Sequence, residues 1–131
     1  MLSFEEAMMT GLARDGGLYL PESIPVMTTA QIAALEGLPY EEVAFQVMWP
    51  FLGGAFTAEE FREILARSYA GFAHAAKAPL KQLAPGHFLL ELFHGPTLAF
   101  KDFAMQLIGQ MMQASLTKSG KRITIVGATS G

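Results

Sequence analysis

The sequence predicts an α/β chain in two parts. A mainly helical region over residues 1–79 is followed, over 80–131, by the first strand–helix–strand unit of an open parallel sheet. Three observations lead there. The first half carries helix-start signatures at Ser3, Thr28 and Thr57, each followed three residues later by Glu or Gln. The fourth helical segment has an apolar stripe, Phe61, Ile64, Leu65, Tyr69 and Phe72, at helical spacing. After Leu80 the pattern changes to an apolar run, a long helical stretch and a β-branched run, Ile123-Thr124-Ile125-Val126.

Taken in order, the first helix opens at Ser3 with Glu6 and is expected to reach about Ala13, with Gly16-Gly17 beyond it. Leu18-Tyr19-Leu20 reads as a short extended piece closed by Pro21 and Pro25. A second helix spans Thr29 to Glu36 and stops at Gly37. A third starts near Pro39 and runs to Trp49, where Pro50 and Gly53-Gly54 interrupt it. The fourth runs from Ala58 to Phe72. Past a boundary near Ala78-Pro79, Pro85-Gly86 marks a turn and His87 to Phe93 reads as a strand. A helix from Phe100 to Thr117 ends at Gly120, and Ile123–Val126 forms the second strand. Two strands joined by one helix are expected to lie parallel, with a right-handed crossover.

Composition narrows the class. The chain of 131 residues is 51% hydrophobic and only 16% charged, against about 25% charged for an average domain. A small domain has proportionally more surface to solvate, so the shortage of charge implies apolar surface that meets further protein or a second copy. Net charge is −3 and no basic stripe is interleaved with aromatics, which argues against nucleic acid. There is no cysteine, so disulfides and thiolate metal sites are excluded. No apolar run is long enough for a membrane span, and Glu5 and Glu6 replace the basic start of a secretory signal. A cytoplasmic location is the expectation.

One lysine stands apart. Lys101 falls where the Gly95-Pro96 turn passes into an apolar helix, with Phe100 and Phe103 beside it. A helix N-terminus and burial both disfavour an ammonium group, so a lysine enclosed there can be a nucleophilic amine suited to a carbonyl cofactor; local chemistry alone favours a snorkelling lysine whose stem covers apolar surface. His94 and Thr97 are close enough along the chain to contact a substrate or to orient the lysine turn. Asp102 could be a charge partner of the lysine but reads better as helix N-terminal stabilisation, and Phe100 as core. Thr129, Ser130 and Gly131 follow a strand, where ligands gather in open α/β sheets, although an ordinary strand-to-helix turn has the same pattern. The pairs Glu5-Glu6, Glu41-Glu42 and Glu59-Glu60 are read as first-turn carboxylates. His74 and His87 have no partner at metal-ligand spacing, and no metal is expected.

Phe93-His94-Gly95-Pro96-Thr97-Leu98-Ala99-Phe100-Lys101-Asp102-Phe103 resembles the cofactor-lysine motif of the threonine synthase family. Leu2 to Ala7 and Gly11 to Pro21 are similar to the family's amino-terminal signature, and Thr124 to Gly131 to its strand and first active-site loop. The resemblance implies the open fold of the fold-type II pyridoxal-phosphate enzymes, with Lys101 carrying pyridoxal 5'-phosphate. It implies that Thr129, Ser130 and Gly131 touch cofactor or substrate, and that O-phospho-L-homoserine and water become L-threonine and phosphate. The family pattern continues past Gly131, so the resemblance further implies a front portion that is inactive by itself. Two other readings stand beside it. Val126-Gly127-Ala128-Thr129-Ser130-Gly131 has part of a dinucleotide fingerprint but lacks its third glycine and acidic residue. A non-catalytic helical interaction domain would also account for the apolar surface.

Overall fold

The structure is a computed structural model and describes residues 1–127. Its elements are α1 (Phe4–Thr10), α2 (Thr29–Ala33), α3 (Tyr40–Met48), a 3-10 turn (Trp49–Phe51), α4 (Ala58–Tyr69), β1 (Leu80–Ala84), β2 (His87–Leu90) and α5 (Asp102–Ser119). The three helix-start signatures all form reciprocal capping boxes. At α4, Glu60 N–H donates to Thr57 Oγ1 at 3.2 Å while Thr57 N–H donates to Glu60 Oε2 at 2.8 Å. Helix α1 stops three residues earlier than its apolar pattern suggests, because Gly11 adopts a left-handed φ of 74° and its N–H returns to the Ala7 carbonyl.

The core lies among α3, α4 and α5. All five residues of the α4 stripe are buried, with Phe61 and Tyr69 fully so. Ala44 and Phe45 of α3, Leu52 and Phe56 of the connecting turns, and Leu107 and Met111 of α5 complete the cluster. Each large side chain enclosed this way contributes roughly 1.5–3 kcal/mol. Phe103, in the first turn of α5, packs edge-on to Phe72 with ring centroids 4.9 Å apart. Tyr69 donates its hydroxyl to the Phe103 carbonyl at 3.1 Å. Burial pushes that hydroxyl well above the usual phenol range, so it remains a donor at every physiological pH. The start of α5 is thereby fastened to the most buried part of α4.

The sheet departs from expectation. Leu80–Ala84 forms a strand that the sequence pattern did not signal, and it pairs antiparallel with His87–Leu90 across Pro85-Gly86. Leu80 lies opposite Leu90 and Gln82 opposite Phe88, with a bulge between Gln82 and Ala84. The expected parallel pairing of His87–Phe93 with Ile123–Val126 is not formed among the described residues. Ile123–Val126 has no strand partner there, and Val126 is 90% exposed. A β-branched run favours the extended backbone, but a ladder needs a neighbouring strand to accept its hydrogen bonds. The order strand then long helix is nonetheless kept, with Ile123–Val126 following the helix.

Candidate functional site

The route from β2 to α5 is an irregular run, Glu91 to Lys101, pinned at several points. Glu91 N–H donates to the Pro79 carbonyl at 3.0 Å, and Ala73 N–H donates to the His94 carbonyl at 2.9 Å. A tight turn follows, closed by Leu98 N–H to the Gly95 carbonyl at 3.1 Å. Leu98 sits at φ 62°, a left-handed conformation that side chains other than glycine rarely adopt. A second turn, Asp102 N–H to the Ala99 carbonyl at 3.0 Å, leads into the helix. Lys101 is the residue at the helix mouth, with helical φ −61° and ψ −21°. Its carbonyl accepts from the N–H groups of Ala104 and Met105.

Asp102 occupies the first helical position and is only 2% exposed. Its Oδ2 accepts from Thr97 N–H at 2.8 Å, and its Oδ1 accepts from the Thr97 hydroxyl at 2.9 Å and Gln106 Nε2 at 3.3 Å. Burial pushes its carboxyl up. The amide and hydroxyl of Thr97, with Gln106 and the Ala99 backbone, outweigh that and hold it below the usual carboxylate range. Gly95 lies against the same side chain: a Cβ there would come within 2.5 Å of both Asp102 Cβ and Oδ2.

The sequence-expected residues divide as follows. Lys101 stands at the helix mouth as anticipated, but its side chain is exposed rather than enclosed. Phe103 faces the core, and Phe100 is 64% exposed instead of belonging to it. The enclosing aromatics expected on both sides of the amine are therefore not there. Thr97 and Asp102 are brought together beneath the lysine. His94 turns elsewhere, its Nε2 2.8 Å from Glu91 Oε2 and its ring 5.1 Å from that of His74. No group of three or more His, Cys, Asp or Glu suited to a metal occurs among the described residues. Thr129, Ser130 and Gly131 lie outside the described residues.

Sequence reasoning offered Asp102 as a charge partner of the lysine or, preferably, as helix N-terminal stabilisation, and missed that it grips Thr97. The signal was a Gly-Pro-Thr turn five residues ahead of an acidic residue opening a helix. Chemically, the arrangement presents one primary amine on a rigid turn. Among the described residues no carboxylate lies within salt-bridge range of it. An amine so placed fits an aldehyde-bearing group. Thr97 directs its single hydroxyl proton to Asp102, so it has none left to donate to an anion.

Helices and a small two-stranded sheet, with Lys101 at the mouth of α5, are consistent with part of an α/β protein. The chain belongs to the threonine synthase family: the family model described as threonine synthase N terminus matches residues 1–69. The threonine synthase of Pseudomonas aeruginosa is 54% identical over 130 residues, covering 99% of this chain and 28% of that protein. That of Schizosaccharomyces pombe is 44% identical over 138 residues, covering 98% and 27%. Among solved structures, the pyridoxal-phosphate-bound threonine synthase from Brucella melitensis superposes with TM-score 0.96 at 54% identity, covering 99% of this chain and 28% of that one. The yeast enzyme superposes with TM-score 0.84 at 35% identity, covering 90% and 24%. The chain thus spans a little over a quarter of the length of these relatives. Neither the nucleotide-turn nor the non-catalytic helical-module reading is favoured by these matches.

Proposed function

We propose that this chain forms the amino-terminal part of a pyridoxal-phosphate-dependent threonine synthase, which converts O-phospho-L-homoserine and water to L-threonine and phosphate in the cytoplasm. Residues 1–79 make a helical domain and residues 80–131 open the cofactor domain. The observation that carries the reading is the lysine motif. Lys101 stands at the helix mouth on a turn fixed from both sides, in a chain 54% identical to a threonine synthase over 130 residues.

Pyridoxal phosphate, when bound, supplies an electron sink for charge developing on the substrate carbons. The chain's own groups do the rest of the work assigned here. Lys101 would hold the cofactor through Nζ, and the same amine, once free, would move protons between substrate carbons as phosphate leaves Cγ and water adds at Cβ. One amine serves as nucleophile first and acid/base afterwards, so its immediate surroundings control both steps. Of the two residues expected to contact a substrate, His94 donates from Nδ1 only as an imidazolium, because its Nε2–H is committed to the Glu91 carboxylate. Thr97 orients the lysine turn. Thr129, Ser130 and Gly131 complete the cofactor side of the site. The reading assigns this segment no nucleic-acid or membrane role. Among the described residues, no helix is long and apolar enough to cross a membrane.

The test uses the full-length protein that carries this segment. It should release phosphate from O-phospho-L-homoserine with formation of L-threonine and show a visible cofactor band. Lys101→Ala should lose that band and lower turnover by about a thousandfold or more, and residues 1–131 alone should release no phosphate. A Lys101→Ala protein that keeps both band and turnover overturns the assignment.

A further inference from the structure

We propose that Asp102 is a positioning residue for Lys101: its carboxylate clasps the Gly95–Leu98 turn to the first residue of α5 and so fixes the direction in which the lysine amine leaves the chain. The proposal rests on the assignment of Lys101 as the cofactor lysine.

Asp102 is 2% exposed, and a carboxylate that enclosed is stable only if donors surround it. Two of its three side-chain bonds come from one residue, Thr97, through the amide at 2.8 Å and the hydroxyl at 2.9 Å. Charge-assisted bonds of this kind are stronger than neutral ones and carry direction. They close a small ring of chain, Thr97 to Asp102, with Lys101 as its last member before the clasp. Inside that ring Leu98 is held at φ 62°. A non-glycine residue stays in that region only where its surroundings over-determine it. On the far side Gly95 is so close that a Cβ would meet Asp102 at 2.5 Å. The turn therefore cannot slide toward the helix, and the two Thr97 bonds stop it moving away.

The other end of Lys101 is held by α5, whose Ala104 and Met105 amides bond its carbonyl, and by Tyr69 on Phe103. The backbone of the lysine is thus fixed from both directions while its side chain is exposed. Helix-dipole stabilisation, the simpler role for an acidic first residue, needs only the charge of Asp102. It gives no part to the Thr97 hydroxyl, and that is where the two roles separate.

The experiment compares Asp102→Ala, Asp102→Asn, Thr97→Val and Thr97→Ser in the cofactor-loaded full-length enzyme. It measures kcat and KM for O-phospho-L-homoserine, the pH midpoint of the visible cofactor band, and the residue to which borohydride fixes the cofactor. Displacing a reacting group by an ångström costs up to about a hundredfold, so Asp102→Ala should lower kcat by about 10–100-fold with a much smaller change in KM. Asp102→Ala should also shift the pH midpoint of the band while borohydride still labels Lys101. Thr97→Val should move kcat and midpoint in the same direction, and Thr97→Ser should recover most of that loss. Asp102→Asn, which can still accept the Thr97 amide, should retain more kcat than Asp102→Ala. Unchanged kcat and midpoint in Thr97→Val, with Asp102→Asn as damaging as Asp102→Ala, would assign Asp102 to the helix dipole and overturn the proposal. If Asp102→Ala does not fold, Thr97→Val and Asp102→Asn decide the matter alone. Borohydride labelling of another residue in the wild-type enzyme would defeat the Lys101 assignment itself. Labelling of Lys101 with kinetics unmoved by the variants would defeat only the positioning role.

Discussion

Gly95 has room for a hydrogen and nothing larger on the side that faces Asp102. Gly95→Ala must push the turn or the carboxylate aside, and overpacking of that kind costs about 1–3 kcal/mol. The expected result is a lower midpoint in chemical denaturation with an unchanged slope; an unchanged midpoint would mean the turn yields freely. At this scale the sequence was half legible. The glycine–proline pair and the single lysine ahead of an apolar helix were enough to locate the helix mouth, because turn formers and helical periodicity are local signals. The clasp between Asp102 and Thr97 was not legible. It depends on Leu98 adopting a left-handed backbone, and leucine gives no warning of one. The exposure of Lys101 and Phe100 was equally hidden, since neighbours in sequence do not say which face of a turn meets the core.

The helices of the first half begin where their caps say, and this makes their energetics testable. Thr57 caps α4, which supplies the most buried residues of the core, so Thr57→Ala should destabilise the fold by about 1 kcal/mol, read from thermal unfolding. Glu60 closes the same box. Lys118, at 2.8 Å, and the Thr57 N–H together hold its carboxyl below the usual range. A carboxylate depressed in the folded state stabilises fully above its unfolded pKa, about 4.3, and that stabilisation is lost as pH falls through the lower folded value. Glu60→Gln retains an acceptor for the box but cannot titrate, so its unfolding midpoint should depend less on pH in the acid limb than that of the parent. A parallel pH dependence in the two proteins would remove Glu60 from the account. Helix α5 carries an opposite case: Ser115 is buried, and among the described residues its hydroxyl has no partner. Ser115→Ala removes that unsatisfied group and should be neutral or stabilising by up to about 1 kcal/mol. Strand β1 was missed for a physical reason. Leu80-Lys81-Gln82-Leu83-Ala84 lacks β-branched residues and a clean alternation, and both hairpin strands are exposed along their length. Its strand character comes from pairing across Pro85-Gly86, which a single-strand pattern does not contain.

For the molecule as a whole, apolar surface is distributed unevenly. The α3–α4–α5 cluster is well enclosed, yet Leu18, Leu20, Ile24 and Val26 in the amino-terminal segment are 75–89% exposed. Phe88, Leu89 and Leu90 on the hairpin, Phe100 beside the lysine, and Ile125 and Val126 at the far end are also open to water. A two-stranded hairpin exposed on both faces is marginal in isolation, and Ile123–Val126 has no ladder partner among the described residues. Scattered apolar side chains are ordinary on a surface, but runs of this kind mark places where further protein packs. The low charged fraction, 16%, gave the same indication from composition, although it could not say where the bare surface would lie. Residues 1–131 expressed alone should therefore self-associate. The weight-average mass from light scattering should rise with concentration, and the chain should bind a hydrophobic dye. Leu20→Lys together with Val126→Lys should reduce both signals without lowering helix content, because neither residue belongs to the core cluster. Should the unsubstituted chain stay monomeric and dye-silent across a wide concentration range, its apolar runs would be satisfied within the chain, and the need for further protein over them would fall away.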